Sequence, residues 1–536
     1  MITKSEQAIL RNRLFRHLDG LVTAPTAYEL LEQGVWDQLE KDRCSINTLT
    51  SVFSANEGYL NVALRVLCSQ GWCTQTLDNR NDTIYYSITT KGLYAKEYTA
   101  HYKEAVELIR LSGKYHPRKF EKAPFQKLEK LFSRFRTEFD TQPEKNREKE
   151  EVRQQVLAHI EGIILGPTIV QLGISGMFHK YFMETRFTPE EFHEDPESFI
   201  KLLDIFVYFD WFQKKDDTYQ FTEKGLFYAK RASAYGVTVS YLPTLRNLDS
   251  LIFGDPAILR NQGAKAAEVH VDRAMNVWGS GGAHAAYFKV VDNIIVEIFN
   301  QPIEQQPKGI LDMGCGNGAF LEHLFNVIEK RTLRGELLEE YPLVLVGVDY
   351  NETALQITRA NLVKADIWAK VIWGDIGRPQ ELAETLKKAY DVNLGELLNV
   401  RTFLDHNRVW NTPQHPNPDR ASESTGAFVS MGKRINNNLV EDSLREHFEN
   451  WAPYVKEFGL LVIELHTVSP ELVAQNLGNT PATAYDATHG YSDQYIVEIP
   501  VFLKVLSEAG LYPDPKHSRI FPDSELATVS INLVRA

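Results

Sequence analysis

Three features of the chain predict an α/β fold in which a doubly wound sheet follows a mostly helical, internally duplicated region. A short apolar run, Gly309-Ile310-Leu311-Asp312-Met313, enters the glycine-rich turn Gly314-Cys315-Gly316-Asn317-Gly318 and then an apolar stretch of helical character. Two further apolar runs end in an acid, at Val348-Asp349 and at Gly374-Asp375. Two sequence landmarks of the N-terminal half recur in the same order. Buried parallel strands read as continuous apolar runs, and ligands gather where such strands end, so the first two features point to a nucleotide-type site.

Length and composition bound the rest. At 536 residues the chain exceeds one ordinary domain; about two or three are expected. With 43% hydrophobic and 24% charged residues it reads as an ordinary globular protein. A net charge of -13 argues against a nucleic-acid partner and against an anionic membrane surface. No apolar run approaches the ~20 residues that span a bilayer, and the N-terminus lacks a signal-peptide core. The four cysteines, Cys44, Cys68, Cys73 and Cys315, form neither a zinc-ribbon spacing nor a disulfide framework. A reducing, cytoplasmic location is the expectation.

Taken in order, His17-Leu18-Asp19-Gly20 recurs as His159-Ile160-Glu161-Gly162, and Ile88-Thr89-Thr90-Lys91-Gly92-Leu93 as Phe221-Thr222-Glu223-Lys224-Gly225-Leu226. Such pairs in register argue for duplication of one module. Each copy reads as helices followed by a short hairpin, at 83–88 and 218–221, that closes on a turn containing Lys-Gly, a winged-helix outline. The expected boundaries are 1–120 for the first module, 121–265 for a linker helix and the second, and 266–536 for the α/β core. Winged helices often bind DNA, but the acidic balance favours a lid that packs on the core and excludes water. Between lid and core, His270 to His284 is polar and glycine-bearing, and fits neither a clean amphipathic helix nor a disordered linker. Two readings stay open there: a segment that faces the site, or an ordinary helix followed by a glycine turn.

In the core, Gly314, Gly316 and Gly318 permit a tight turn and close approach of a ligand to the backbone. Fourth and fifth strands are expected at Leu397-Leu398-Asn399-Val400 and Leu460-Leu461-Val462-Ile463; they run into Asp405-His406 and into Glu464-Leu465-His466. Tyr485 to Gln494 adds Asp486, His489 and Gln494. Histidines and a carboxylate gathered from strand ends are the material of an octahedral Fe(II)- or Mn(II)-type site with open positions. The competing reading makes one histidine a general base and the others hydrogen-bond donors to substrate.

The series Asp312-Met313-Gly314-Cys315-Gly316-Asn317-Gly318, Gly347-Val348-Asp349 and Gly374-Asp375-Ile376 resembles the motifs of class I S-adenosylmethionine-dependent methyltransferases. The resemblance implies that the loop cradles the amino-acid part of the cofactor, that Asp349 binds ribose and that Asp375 faces adenine. Asp312, Tyr350 and Ile376 complete the implied cofactor set. Lys330 to Tyr341 lengthens the usual spacing and reads as an insertion.

Across its whole length, through His270-Val271-Asp272-Arg273, Phe403-Leu404-Asp405-His406, Glu464-Leu465-His466 and His489 to Gln494, the chain resembles the metal-dependent C-methyltransferase domains of polyketide starter-unit loading modules, the apratoxin and saxitoxin types. That resemblance implies methylation at the α carbon of a malonyl or methylmalonyl thioester on an acyl carrier protein, with one Fe2+ or Mn2+. It carries the metal role to His466, His489 and Gln494, with Asp486 and His406 as further candidates for ligand or substrate contact. The general base is placed at His406, beside Asp405. Relatives are usually fused to a decarboxylase-like acyltransferase domain and a carrier, so these partners are expected to be separate or the chain to be an excised piece. The alternatives are a metal-free O- or N-methyltransferase acting on a free small molecule, and a transcriptional regulator with a decayed catalytic domain. Intact Gly314, Gly316, Gly318 and Asp349 argue against decay.

Overall fold

The computed structural model describes residues 2–78, 82–112, 122–139, 142–259 and 268–536. The N-terminal half is organised by two long helices, α1 (Lys4–Glu32), and the equivalent helix of the second module, which follows α2 (Glu57–Ser69) and the hairpin of β1 (Cys73–Asp78) with β2 (Thr83–Ile88). This equivalent helix, α3 (Arg147–Ile174), is followed by the hairpin of β3 (Phe212–Lys215) with β4 (Thr218–Phe221). α1 and α3 cross where the repeat predicts equivalence. A Cβ on Gly20 would lie 2.3 Å from His159 Cα, and one on Gly162 would lie 2.5 Å from His17 Cα. Each of these histidines bonds a tyrosine hydroxyl at 2.7 Å, His17 to Tyr235 and His159 to Tyr102. The duplication is therefore a pseudo-twofold pairing of two modules, with glycine required in both copies because backbone meets backbone.

The Lys-Gly segments are helix starts rather than turns. Thr89 Oγ1 accepts the Gly92 N–H at 3.0 Å, and Thr222 Oγ1 accepts that of Gly225 at 2.9 Å, N-caps that satisfy otherwise orphaned donors. α3 is long and apolar enough to cross a membrane, contrary to the reading of the sequence, yet 78% of its apolar window is buried inside the protein. Its hydropathy is that of a core helix packed on all sides.

The His270 to His284 stretch is neither loop nor glycine turn. From Arg273 onward it lies within one helix, α5 (Arg273–Phe299), capped by Asp272 and packed on α4 (Ser233–Ser240). A Cβ on Gly236 would sit 2.6 Å from Gly279 Cα, and one on Gly279 would sit 2.5 Å from Val237 N. The glycine run thus serves a close helix crossing, which fastens the second module to the core.

The core is a seven-stranded sheet. In chain order its strands are β5 (Gly309–Met313), β6 (Val344–Asp349), β7 (Lys370–Trp373), β8 (Leu397–Thr402), β9 (Leu460–Leu465), β10 (Tyr512–Phe521) and β11 (Val529–Arg535). They lie side by side as β10-β11-β9-β8-β5-β6-β7; β11 is antiparallel to both neighbours and the other pairs are parallel. This is the doubly wound class I order expected from the motifs. On one face pack α5, α6 (Ala319–Arg331) and α7 (Glu352–Lys364); on the other, α8 (Pro379–Tyr390), α9 (Asn437–Val455) and α11 (Ile499–Glu508), which comes after α10 (Ala482–Gly490). From β5 the chain winds outward through β6 to β7 and then crosses back to β8 on the other side of β5, so the carboxyl edge between β5 and β8 is the topological switch point where a crevice forms. The Lys330–Tyr341 insertion folds aside as a short helix whose Arg334 donates to Gln306 Oε1 at 3.0 Å and to the Pro307 carbonyl at 2.8 Å. Asp349 keeps its place at the end of β6.

Candidate active site at the carboxyl edge of the sheet

The loop after β5 is built for a ligand. Gly314, Gly316 and Gly318 have φ of +82°, +55° and +80°, the left-handed region in which a side chain is strained. A Cβ on Gly314 would press on Leu404, at 2.9 Å, whereas one on Gly316 would meet nothing within 4 Å, so the loop is open on that side. Asp349 Oδ2 accepts the Gly316 N–H at 2.9 Å, and its Oδ1 accepts that of Asn351 at 2.8 Å. Behind the loop Asp312 is buried, and its Oδ2 has no partner among the described residues. Burial, and then the nearby Asp349, push the Asp312 carboxyl up to about 7. Burial likewise raises Asp349. Two destabilised acids, one with an orphaned oxygen, suit a cation, and S-adenosylmethionine carries a sulfonium and an ammonium.

The remaining expected cofactor residues form a shelf. The Tyr350 and Trp373 rings lie 5.4 Å apart, both half exposed, and Trp373 Nε1 donates to the Tyr350 carbonyl at 3.0 Å. Asp375 Oδ1 accepts the Gly377 N–H at 2.8 Å and so shapes the turn after β7. Ile376 differs: its side chain is buried in the core, and its carbonyl accepts from Trp451 Nε1 at 2.8 Å. At the start of α5, Arg273 donates to Glu268 at 2.7 Å and supplies a positive charge that offsets Asp349.

The other side of the candidate site begins at Phe403, which has φ +54° just past β8, a strained conformation of the kind found at functional sites. The bend carries Asp405 and His406 over the end of β9. There Glu464 accepts from four donors: the Asp405 N–H at 2.8 Å, the His406 N–H at 3.3 Å, the Leu465 N–H at 2.7 Å, and His406 Nδ1 at 2.5 Å. The carboxylate fixes the proton on Nδ1 and leaves the Nε2 lone pair of His406 available. The His489 ring, on α10, stands 5.1 Å from that of His406 at an interplanar angle of 72°. His489 Nδ1 donates to the Tyr485 carbonyl at 2.7 Å, and burial pushes this imidazole down to about 3, so it is neutral at physiological pH. Its Nε2 has no hydrogen-bond partner among the described residues. The Gln494 side chain reaches the Tyr241 hydroxyl, and the Tyr241 ring lies 5.9 Å from that of His489. His406, His489, Gln494 and Tyr241 therefore converge.

Three residues expected in the site do not join them. His466 is fully buried, its Nδ1 donates to the Val497 carbonyl at 3.0 Å, and its Nε2 accepts from Ser530 Oγ at 2.7 Å. With both nitrogens engaged and burial pushing it down to about 4, it is a saturated core histidine. Asp405 turns away from His406 and binds Arg401 at 2.5 Å and His447 Nε2 at 2.8 Å. Burial favours its neutral form, but Arg401 and His447 hold the carboxyl down to about 2. It belongs to a structural ion-pair cluster. Asp486 accepts from Arg65 Nε at 3.0 Å and Thr467 Oγ1 at 2.6 Å. Among the described residues no group of three or more His, Cys, Asp or Glu is placed to hold a metal; His489 with Gln494 offers two donors, an imidazole and an amide.

The motif reading overlooked Glu464 as the partner of His406, although an acid inside an otherwise apolar strand was a visible signal, since a buried charge demands a partner. Tyr241, in the second module, had no such signal.

Three family models match the chain in order. The AprA N-terminal domain matches residues 10–75, the AprA winged helix domain 161–255, and the AprA MT2-like domain 268–532. Similar solved structures include PigF with SAH (12% identity, 72% of this chain and 99% of that chain, TM-score 0.39) and the mitomycin 7-O-methyltransferase MmcR (13%, 72% and 98%, 0.37). LepI in complex with SAM is a third, at 12% identity, 80% and 96% coverage and TM-score 0.39. No curated protein matches the chain. With a class I sheet, a glycine loop flanked by Asp312 and Asp349, and AprA-type modules in order along its length, the chain belongs to the AprA MT2-like family and is an S-adenosylmethionine-dependent methyltransferase.

Proposed function

We propose that the enzyme methylates the α carbon of a malonyl or methylmalonyl unit held as a thioester on an acyl carrier protein, with Fe2+ or Mn2+ bound by His489 and Gln494. One observation carries the reading: His489 is tied through Nδ1 to a backbone carbonyl, the usual support of a metal-binding imidazole, and its ring faces His406 with Gln494 alongside. A divalent cation there would act as a Lewis acid toward the malonyl thioester, favouring loss of the α proton. His466 is left out of this donor set because both its nitrogens are engaged.

The residues of the chain divide the remaining work. His406, oriented by Glu464, takes the α proton on Nε2. The electron pair left on carbon forms the new bond to the cofactor's methyl group, and the sulfur keeps the pair of the bond that breaks. Asp312, Asp349 and the glycine loop hold the cofactor so that methyl and carbon meet in line. The N-terminal modules, fastened through Gly236 and Gly279, exclude water. A carrier protein is the partner that this chemistry requires to deliver the thioester, and a decarboxylase-like acyltransferase is proposed as the partner that acts on the product.

A second reading has its own support. The His406–Glu464 pair is complete without a metal and suffices to deprotonate a hydroxyl or amine, which favours an O- or N-methyltransferase of a free small molecule. Incubation with malonyl-loaded carrier and cofactor, in chelator and then with Fe2+ or Mn2+ restored, separates the two by intact mass of the carrier. Metal-dependent gain of a methyl group supports the first; transfer undiminished in chelator, or no transfer to any carrier, refutes it.

A further inference from the structure

The helix and turn that carry His489 and Gln494 are held from outside the core. Arg65, buried on α2 of the first module, sends its guanidinium to three segments at once: Asp486 on α10 at 3.0 Å, Thr467 Oγ1 and the Val468 carbonyl beyond β9 at 2.9 and 3.0 Å, and Thr425, whose hydroxyl is 3.1 Å away and whose carbonyl it also contacts. Tyr59, on the same helix, donates its hydroxyl to Asp493 Oδ1 at 2.8 Å, while Asp493 Oδ2 accepts the Met431 N–H at 2.9 Å. Asp493 has φ +56°, a left-handed turn for a non-glycine residue, and it immediately precedes Gln494. Strain of that kind persists only where surrounding contacts over-determine it. A Cβ on Gly490 would lie 2.8 Å from Val62 Cγ2, so the backbone of α10 packs directly on a side chain of α2.

We propose that the first module is a working part of the active site, in which Arg65 and Tyr59 are positioning residues that fix α10 and the strained turn after it, and thereby the facing of His489 and Gln494. This rests on the reading of that pair as the donor set proposed above. The direction of the Nδ1–H of His489 toward Tyr485 requires the last turn of α10 to stay wound, and the Asp493 turn is what stops it unwinding. The module is thus a fixed wall of the site rather than a cap laid over it.

The test uses the full-length protein labelled with 15N-histidine, the His489 signals being assigned with His489→Gln. Tyr59→Phe removes one hydroxyl, and Arg65→Lys keeps the charge but loses the fork that reaches three segments. In both variants the His489 ring signals should move from a single Nδ1–H tautomer toward the average of two, with calorimetric cofactor affinity within about twofold of wild type. Titration with Mn2+ alone, followed by electron paramagnetic resonance, should show about tenfold weaker binding, the usual effect of losing an outer support. If the His489 signals of folded Tyr59→Phe match wild type, the pinning role is overturned, whatever Arg65→Lys does. If wild type and His489→Gln hold Mn2+ alike, the metal reading fails instead, and the tautomer signals still decide the pinning.

Discussion

Asp312 should make cofactor binding a proton-linked event. In the protein without ligand its carboxyl is pushed from an ordinary 3.8 to about 7, chiefly by burial and further by Asp349. At 1.36 kcal/mol for each pH unit, ionising it there costs about 4 kcal/mol. Below about pH 7 the free protein therefore carries a proton on Asp312. The cofactor's ammonium and sulfonium favour the ionised carboxylate, so binding should expel that proton. The sign follows: affinity is weaker on the acid side and rises until the free protein is itself ionised. At about pH 6 only about a tenth of Asp312 is ionised, so the association constant should be about tenfold lower than at about pH 8. Calorimetric titration in two buffers of different ionisation enthalpy counts the protons released, and Asp312→Asn should bind with a flat pH profile. Equal affinity at both pH values with no proton exchanged would refute the assignment of Asp312 to the cofactor cation.

Other consequences are as direct. Glu464→Gln removes the charge from a hydrogen bond worth about 1.5 to 3 kcal/mol, so single-turnover methyl transfer should slow by about ten- to a hundredfold at unchanged cofactor affinity; an unaltered rate would remove His406–Glu464 from the chemistry. Asp349→Ala should weaken cofactor binding by a similar about 1.5 to 3 kcal/mol while the melting temperature holds, and calorimetry showing wild-type affinity would take Asp349 out of the site. His466→Ala strands Ser530 Oγ and the Val497 carbonyl and should cost about 2 to 4 kcal/mol of stability, whereas His489→Ala, which strands one carbonyl, should cost less stability and abolish transfer; denaturant titration and turnover in the opposite order would make His466 the functional histidine. Gly162→Ala forces a Cβ to 2.5 Å from His17 Cα, backbone against backbone, and should destabilise the paired modules by at least about 1 to 3 kcal/mol, read as a lowered melting temperature.

What could be read from the chain divides along a physical line. β5 and β6 were legible because a parallel strand buried on both faces must be apolar until it reaches its ligand edge, and there Asp312 and Asp349 interrupt the run; β7, the half-exposed edge strand, was marked by the Gly374-Asp375 that follows it. The duplication was legible because a crossing of two helices backbone to backbone admits only glycine, at Gly20 and again at Gly162. By contrast, nothing in the sequence ranks His466, which ends an apolar run, against His489, which lies in the polar stretch Tyr485 to Gln494. What separates them lies across the fold: Ser530 on the antiparallel β11 takes the second nitrogen of His466, and no described residue takes that of His489. Asp405 was misread for the same reason, since Arg401 and His447 come from β8 and α9, and only their convergence draws the carboxylate away from His406. The glycines of α5 misled in the other direction. A run containing Gly279 signals a turn only where nothing packs on it, and here Gly236 does.

The same line explains how the site is built. His489 and Gln494 are carried by α10 and the turn after it, not by a strand, and a single helix end packed on one side is free to fray. The core does not cover that side of α10; α2 of the first module does, through Arg65, Tyr59 and Val62. Tyr241 of the second module meets Gln494 from another direction. A buried guanidinium such as Arg65 is costly unless its donors are satisfied, and it is satisfied only when the module and the core are docked together. On the proposal made above, docking of the modules and ordering of His489 and Gln494 are therefore one event. A chain cut between the modules and the core would lose more than water exclusion; it would lose the geometry of His489.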